Sequence, residues 1–546
     1  MIPTVCIRKN KIWITCLISI IAIVCLYAVS LAKNNNKVKI NYSADKLEGG
    51  EKENGQEPYK QLTGHVIFIH EDFTIYADSA QYYDQKGIVK AAGNLQMIDK
   101  EGGVMVAERV VYDVNTKLAQ LRNSVCYEQD TLKFYTNELD YAVKDKKGYF
   151  RNGGTLVQNN DQISSRSGYY DEKNKLAVFY RQVELNNQEY HVACDTLRYH
   201  TNTKLAEFKG NTQIVTKEGE TITTKEGGQY NTDTKDALFK KARVESEKYS
   251  LYGNLIKANQ DKNDYTVTGQ VELVSKEHNV TITGDRGYYD YDKGIGEILG
   301  NPLLQRIIDE DTLYMIADTF KAIEDKHHDN DDKKDHLILG YNNVKIYKTN
   351  LQAKADSMAY HSIDSTVYFY NKPIFWNYDS QITAESIRIE LNNEAIEKMY
   401  IDTDAFISSA DKFGNYNQVK GREMIAQFQD NKIDYIDILG NGESLYFALN
   451  DSSEVVGMNY IRCSHMRIDM DNESLSKINF FVKPAGVFYP AHKIVEDEKQ
   501  LFGFEWRING KPALEEFISR KHIVQKANNE RIQRKDMHSK KKLNSR

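Results

Sequence analysis

The stretch Ala77-Asp-Ser-Ala-Gln-Tyr-Tyr-Asp84 decides the fold, because versions of it return along most of the chain. A small residue, an acid and then a tyrosine come again in Ala107-Glu-Arg-Val-Val-Tyr-Asp113, Cys194-Asp-Thr-Leu-Arg-Tyr199 and Gly284-Asp-Arg-Gly-Tyr-Tyr-Asp290. Aligned on the tyrosine, the positions are Tyr82, Tyr112, Tyr141, Tyr169, Tyr199 and Tyr230, and less regularly Lys257, Tyr288, Ala322 and Tyr360. A fixed period of about 30 residues is typical of a repeat architecture.

A second signature follows the tyrosine, in Leu118-Ala-Gln-Leu121, Leu176-Ala-Val-Phe179, Leu205-Ala-Glu-Phe208 and Ala237-Leu-Phe239. A turn such as Lys209-Gly-Asn211 comes next, and an alternating run closes the unit. The chain holds 36 Tyr and only 7 Pro, a composition that favours strands. The sequence therefore predicts an all-β fold over about residues 61–505, in which strand-turn-strand units stack because one unit cannot bury its own apolar face.

The apolar side chains of these signatures form the candidate site. Leu121, Phe179, Phe208 and Phe239 share one position of the repeat, and Val183 and Val271 lie on strands that follow it. One interpretation is an ordinary closed core. The other is an apolar groove between two sheets that takes acyl chains.

Motifs for catalysis or for cofactor binding do not stand out. The chain has no Gly-x-Ser-x-Gly elbow, no His-Glu-x-x-His, no P-loop and no Cys-x-x-Cys. His327-His328 with the nearby aspartates is interpreted as a solvated loop rather than a metal site. A net charge of −6 does not suggest nucleic-acid binding. We expect a protein that is not an enzyme and that needs no metal or cofactor.

The N-terminus carries an export signal. Basic Arg8, Lys9 and Lys11 precede an apolar run over residues 12–29, and Ser30-Leu31-Ala32 offers a cleavage site. The length of the run fits a cleaved signal peptide or an uncleaved inner-membrane anchor, and both stay open. The rest of the chain is expected outside the cytoplasm.

The three exported cysteines and the C-terminus complete the predictions. Cys126, Cys194 and Cys463 are interpreted as buried thiols, with a Cys126–Cys194 disulfide as the alternative. From Lys511 the spacing of Leu514, Phe517 and Ile518 predicts a helix that caps the open end of the last sheet. The basic tail after it is interpreted as solvated or as contacting an anionic membrane or lipid phosphates.

The pairs Ala77-Asp-Ser-Ala-Gln-Tyr-Tyr-Asp84 with Val89-Lys-Ala-Ala-Gly-Asn-Leu95, and Cys194-Asp-Thr-Leu-Arg-Tyr199 with Ala206-Glu-Phe-Lys-Gly-Asn211, resemble the OstA-like family. The resemblance implies a V-shaped β-jellyroll that shields lipopolysaccharide acyl chains in the periplasm and stacks edge to edge with other jellyroll subunits of a transport bridge. A structural or adhesive β-solenoid with a filled core is the alternative function. The chain is longer than one bridge unit, which suggests two jellyroll segments in tandem, and after residue 480 we expect no run of strands long enough for an outer-membrane barrel.

The expected domain organisation follows from these features. It comprises a signal or anchor (1–32), a linker (33–60), a first OstA-like segment (61–323), a charged loop (324–336), a second segment (337–510), and a helix with a basic tail (511–546).

Overall fold

The computed structural model describes residues 40–50, 58–71, 73–308, 310–324, 336–393, 395–430, 432–450, 454–471 and 474–520. Contacts divide the chain into two compact units. Unit 1 comprises residues up to Asn159 together with Tyr169–Lys173, and unit 2 comprises Asn160–Gly168 and the chain from Asn174 onward. The predicted all-β fold is confirmed, since every regular element of the described residues before 491 is a strand.

Unit 1 is an antiparallel meander. Its strands are β1 (Asn41–Ser43), β2 (Lys46–Gly50), β3 (Tyr59–His70), β4 (Phe73–Tyr83), β5 (Ile88–Asp99), β6 (Val104–Asp113), β7 (Leu118–Gln129), β8 (Leu132–Ala142), β9 (Lys147–Phe150) and β10 (Gly154–Gln158). Strands β1 and β2 both pair with β3, so residues 41–50 form strands where a linker was expected.

Unit 2 continues the same construction. It begins with β11 (Asp161–Ser165), β12 (Ser167–Asp171), whose last residues belong to unit 1, β13 (Leu176–Asn186), β14 (Tyr190–His200), β15 (Leu205–Thr216), β16 (Thr221–Thr224), β17 (Gly228–Asn231), β18 (Asp236–Glu245), β19 (Tyr249–Asn259), β20 (Asp264–Ser275), β21 (Val280–Asp290), β22 (Ile295–Leu299), β23 (Leu303–Ile308), β24 (Asp311–Ile316) and β25 (Thr319–Glu324).

After the charged loop, unit 2 resumes with a second series of strands. These are β26 (His336–Tyr341), β27 (Val344–Lys348), β28 (Leu351–Ala355), β29 (Ser357–His361), β30 (Thr366–Tyr370), β31 (Ile374–Asn377), β32 (Ser380–Thr383), β33 (Ser386–Asn392), β34 (Ala395–Ala410), β35 (Tyr416–Gln429), β36 (Lys432–Leu449), β37 (Val455–Asp471), β38 (Ser474–Phe481) and β39 (Ala485–Pro490). Both series of strands belong to unit 2. The division of the chain at residues 324–336 stays a prediction.

Most long strands bend in the middle, and the bend divides each unit into two arms. The register of β4 and β5 shifts between Tyr76 and Ser79, opposite Gly93 and Asn94, which both have positive φ. The predicted turn at Lys209-Gly-Asn211 is such a bulge within one strand, with Gly210 at φ 79. A bulge adds one residue and bends the strand, and glycine takes positive φ without strain. Where the strands are long, each repeat is therefore two bent strands, and a bulge stands where a turn was predicted.

We call the half of each bent strand that bears the repeated tyrosine arm A, and the other half arm B. In unit 1, arm A includes residues 79–83 and 109–113, and arm B includes 66–70 and 95–99. In unit 2, arm A includes 205–209 and 255–259, and arm B includes 212–216 and 249–252. From β22 to β33 the two arms are separate strands, with β22, β25 and β26 in arm A and β23, β24 and β27 in arm B. Strands β34 to β37 are again long bent strands that span both arms.

The acid of the repeated motif stabilises the bend. Asn94 Nδ2 donates to Asp78 Oδ2 at 2.9 Å, and Asn123 Nδ2 donates to Glu108 Oε2 at 2.8 Å. In unit 2 the backbone N–H of Asn211 donates to Asp195 Oδ2 at 2.9 Å. The acid on one strand thus binds the bulge of the next strand, where backbone groups leave the ladder and need partners.

The two arms enclose an apolar interior in each unit. In unit 2, Phe369 of arm A and Phe375 of arm B pack edge to face, with ring centroids 5.0 Å apart. In unit 1, Phe73 of arm B packs on Tyr112 of arm A at 4.9 Å. Apolar side chains from both arms therefore form one interior in each unit.

The strands end at Pro490, and residues 491–520 form a segment that we call the C-terminal strap. It contains three 3-10 turns (Ala491–Lys493, Glu496–Glu498 and Ile508–Gly510) and helical residues 514–520. Gln418, which is fully buried, donates to the carbonyl of Lys499 and accepts the N–H of Leu501, both at 2.8 Å. Gln381 makes the same pair of bonds with Glu505 and Arg507.

The strap corrects the prediction for the C-terminal helix. The helix exists, but it does not cap the last sheet. Phe517 is fully buried against Leu303 and Ile316, and Arg520 donates to the carbonyls of Pro302 and Ala317. The strap therefore runs back over the outer face of arm B in unit 2, because that face carries apolar side chains that need a cover.

Candidate functional site

All six predicted site residues point into the interior between the arms. Their exposed fractions are 0% for Leu121, 2% for Phe179, 1% for Val183, 4% for Phe208, 5% for Phe239 and 2% for Val271. Leu121 lies on arm A of unit 1, whereas the other five lie in unit 2. Within unit 2, Phe208 and Phe239 lie close together, because both pair with Gly228 between them.

The tyrosines of the repeat lie in register with the alanines of the second signature. In unit 1, Tyr112 and Tyr141 both pair with Ala119, and in unit 2, Tyr199 and Tyr230 both pair with Ala206. Residues paired in this way share one face of a sheet. Ala119 and Ala206 are buried because tyrosine rings flank them on both sides. The alternation of tyrosine and alanine thus lines arm A near the lip, which is the hairpin end of each arm.

Further along arm A, the register corrects the sequence alignment. The line passes from Tyr230 to Ala237, Ala258, Tyr265 and Tyr289. The predicted positions Lys257 and Tyr288 are each one residue away and therefore point to the opposite face, where Tyr288 is 36% exposed.

In unit 1 the lips of the two arms touch through polar groups. His70 of arm B and Tyr112 of arm A are buried, and His70 Nδ1 lies 2.7 Å from the Tyr112 hydroxyl. Burial lowers the pKa of His70 and raises the pKa of Tyr112, so both groups are neutral at pH 7. Nearer the solvent, Lys117 Nζ pairs with Glu71 at 2.7 Å. We call these two contacts together the first latch of unit 1.

A second latch in unit 1 uses carboxyl groups. Lys146 in an arm A turn pairs with Glu101 in an arm B turn. Beside this pair, Glu172 is 2% exposed and accepts a bond from the Tyr141 hydroxyl at 3.2 Å. Burial, and then the carboxyl groups of Glu101 and Asp99, raise the pKa of Glu172. The lips of unit 1 are thus joined by the repeat tyrosines Tyr112 and Tyr141 together with histidine, lysine and glutamate side chains that the sequence analysis did not single out.

In unit 2 the interior is not equally closed along arm B. One register line, on the lip side of the arm, begins with the buried residues Leu185, Val192 and Ile214. It then passes through seven half-buried residues: Ile222, Val244, Leu251, Leu273, Ile282, Leu304 and Met315. Ile346, Ala353 and Phe375 continue the line and are buried again. We call the seven residues the half-exposed stripe.

The cysteine prediction is settled for the three described thiols. Cys126, Cys194 and Cys463 are free, so no disulfide joins Cys126 to Cys194. Cys194 and Cys463 are buried as predicted, and burial raises the pKa of Cys194 to about 12. Cys126 is half-buried and lies 3.8 Å from Glu128 Oε1.

Three other predictions concern parts of the chain that the structure does not describe. The signal or anchor at residues 1–32, the histidine pair in the charged loop and the basic tail after Arg520 lie outside the described residues. Within the described part, no cluster of three or more His, Cys, Asp or Glu side chains is placed to hold a metal ion. The described helices include none that is long and apolar enough to cross a membrane.

Comparison with known proteins supports the family resemblance. Residues 35–195 match the sequence model of the family described as OstA-like protein, which confirms the resemblance over that part of the chain. No curated protein matches the chain. Among solved structures, LptH is described as "the LptA homologous periplasmic component of the conserved lipopolysaccharide transport device from Pseudomonas aeruginosa". It is similar at 16% identity and a TM-score of 0.13 over 24% of this chain and 75% of its own.

Proposed function

We propose that the chain is a periplasmic lipid-binding protein of lipopolysaccharide transport, which shields acyl chains between its two arms. The observation that carries the proposal is the interior of each unit, since two layers enclose apolar side chains there and all six candidate residues are buried. The OstA-like match over residues 35–195 supports the class of cargo. An acyl chain in water costs about 0.8 kcal/mol per CH₂, so a carrier must cover it in transit.

The C-terminal strand edge supports the proposed contact with other bridge subunits. In the described part of the chain, β38 and β39 each pair only with β37. Val487 is 50% and Phe488 53% exposed on β39. An uncovered strand edge is a template for pairing with another chain. We propose that a further jellyroll subunit adds its strands there. We also propose that the basic tail contacts an anionic membrane surface, and the support for this contact is the charge of the tail.

A filled structural solenoid is the second candidate function. The near-complete burial of the candidate residues favours it, because a core without a ligand has the same appearance. The two functions differ in whether the arms separate to admit a lipid.

The test is the lipid that the purified chain retains, measured by mass spectrometry after extraction. Phe208→Arg places a charge in the interior of unit 2, and we expect at least about tenfold less retained lipid, corresponding to about 1.4 kcal/mol. Gln213→Arg is the matched control, since Gln213 is exposed on the same strand. Circular dichroism shows whether each variant keeps its strands. Equal lipid in a folded Phe208→Arg protein, or no lipid in the unsubstituted chain, contradicts the proposal.

A further inference from the structure

The alternation of tyrosine and alanine on arm A of unit 2 first breaks after Tyr230. Ala237 and Ala258 pair directly with each other, so no tyrosine separates them. Ala177 and Ala206, which lie beside tyrosines on the same line, are 1% and 2% exposed. Ala237 and Ala258 are half-buried. The missing ring therefore leaves a gap in the cover of the interior.

The gap coincides with the half-exposed stripe of arm B. Val244 and Leu251 lie on the same two strands as Ala237 and Ala258, on the other side of the bend. Both are half-buried, although they face inward, so solvent reaches the interior here. In the same unit, Val192 and Phe375 on the same register line are 1% and 2% exposed.

The shape and chemistry of the stripe fit one extended hydrocarbon chain. It is a single aliphatic side chain wide and crosses seven adjacent strands, a length of about 29 Å at a spacing of about 4.8 Å. One leaflet of a bilayer has a hydrocarbon depth of about 15 Å, so an acyl chain fits within that length. At the lip, the Tyr249 hydroxyl donates to Glu220 Oε1 at 2.6 Å, which places polar groups above an apolar floor.

We infer that an acyl chain of lipopolysaccharide enters unit 2 through the gap at Ala237 and Ala258 and lies along the half-exposed stripe. This inference rests on the proposed function and adds the place in the interior where the acyl chain lies. The latched unit 1 is not the point of entry, because its lip-side residues Phe68, Ile75 and Met97 are 0–2% exposed.

Site-specific photocrosslinking tests the inference. A benzophenone amino acid replaces Leu251 or Leu273 in the stripe, or Met97 in unit 1, and the full exported chain is irradiated with purified lipopolysaccharide. We expect crosslinks at Leu251 and Leu273 to exceed those at Met97 by at least about tenfold. Ala258→Tyr restores the ring and should reduce crosslinking at Leu251 several-fold, whereas Lys257→Tyr, one residue away on the exposed face, should leave it unchanged.

The outcomes separate this inference from the proposed function. Strong crosslinks at Met97, or an Ala258→Tyr variant that crosslinks at full strength, place the acyl chain elsewhere and overturn the inference while the proposed function stands. Crosslinks at Leu251 with lysophosphatidylglycerol but not with lipopolysaccharide overturn the choice of lipid. Absence of crosslinks at all three positions with either lipid, together with no lipid retained on purification, overturns both.

Discussion

Unit 1 and the half-exposed stripe of unit 2 are built from the same repeat but close differently. On the lip side of arm B, Ile75 of unit 1 is 1% exposed, whereas Ile282 of unit 2 is half-buried. In unit 1 the lips are joined by His70 with Tyr112 and by Lys117 with Glu71. Beside the stripe, arm A offers two alanines in place of a tyrosine. The comparison teaches that the repeat builds the two arms, while a few lip residues decide whether the interior is open.

The largest expected effect comes from a matched pair of isoleucines. Ile75→Ala should lower the free energy of unfolding of unit 1 by about 2–5 kcal/mol, because it removes buried atoms and leaves a cavity. Ile282→Ala should lower the stability of unit 2 by less than about half as much, because Ile282 already contacts solvent. Urea unfolding with site-resolved hydrogen exchange measures both. Equal losses of unfolding free energy in the two variants would contradict the proposed difference between unit 1 and the half-exposed stripe.

Removing the Tyr112 hydroxyl from the first latch of unit 1 should have the next largest effect. Tyr112→Phe leaves His70 without its partner in a buried site, where Nε2 is already unpaired among the described residues. An unsatisfied buried polar group costs about 1–3 kcal/mol. Tyr76→Phe is the control, since Tyr76 is 40% exposed. Thermal melts of the two variants give the difference, and indistinguishable melting temperatures would show that the contact does not hold the lips.

The same latch predicts a pH dependence of unit 1. Burial holds the pKa of His70 below its ordinary value of 6.5, so the unfolded chain binds a proton that the folded chain does not. Stability from this group is complete above pH 6.5 and is lost as the pH falls below it. His70 faces Phe73, Tyr112, Glu71 and Lys117. Burial lowers the pKa of His70 more than the negative charge of Glu71 raises it, and the positive charge of Lys117 lowers it further.

The measurement compares melting temperatures at pH 7.5 and pH 5.5 with those of His70→Gln. We expect the variant to lose less stability on acidification than the unsubstituted chain. The same acid sensitivity in both proteins would assign it to the carboxyl groups rather than to His70.

The smallest effect is expected from the exposed ion pair. Lys117 and Glu71 have side-chain exposures of 28% and 44%, and pairs of this kind contribute about 0–1 kcal/mol. Lys117→Ala should therefore reduce stability slightly at low salt, and the difference should vanish in about 1 M salt, where charges are screened within about 3 Å. A salt-independent loss would indicate that Lys117 acts through packing instead.

The repeat predicted the strands and the inward residues well, because both depend on local periodicity. The role of the acid was not recognised, since Asp78 acts on Asn94 in the next strand. The spacing of about 16 residues recurs in Asp195 with Asn211 and Asp285 with Asn301, and that pattern is a signal in the sequence. The strap could not be predicted, because Gln418 binds a backbone more than 80 residues away.

The alignment of the tyrosines failed where the function is proposed. Sequence spacing placed Lys257 on the line, and a shift of one residue reverses the face of a strand. Only the register with Ala237 shows that Ala258 is the inward residue and that a tyrosine is missing. The gap is therefore a property of strand pairing rather than of any motif.

Hydrogen–deuterium exchange of the exported chain, with and without purified lipopolysaccharide, tests the central claim most directly. The account predicts that lipid slows exchange in residues 236–284, which carry the gap and the middle of the stripe, and leaves residues 104–142 of unit 1 unchanged. Protection that appears first or only in unit 1, or exchange that lipid does not alter anywhere, would contradict the account.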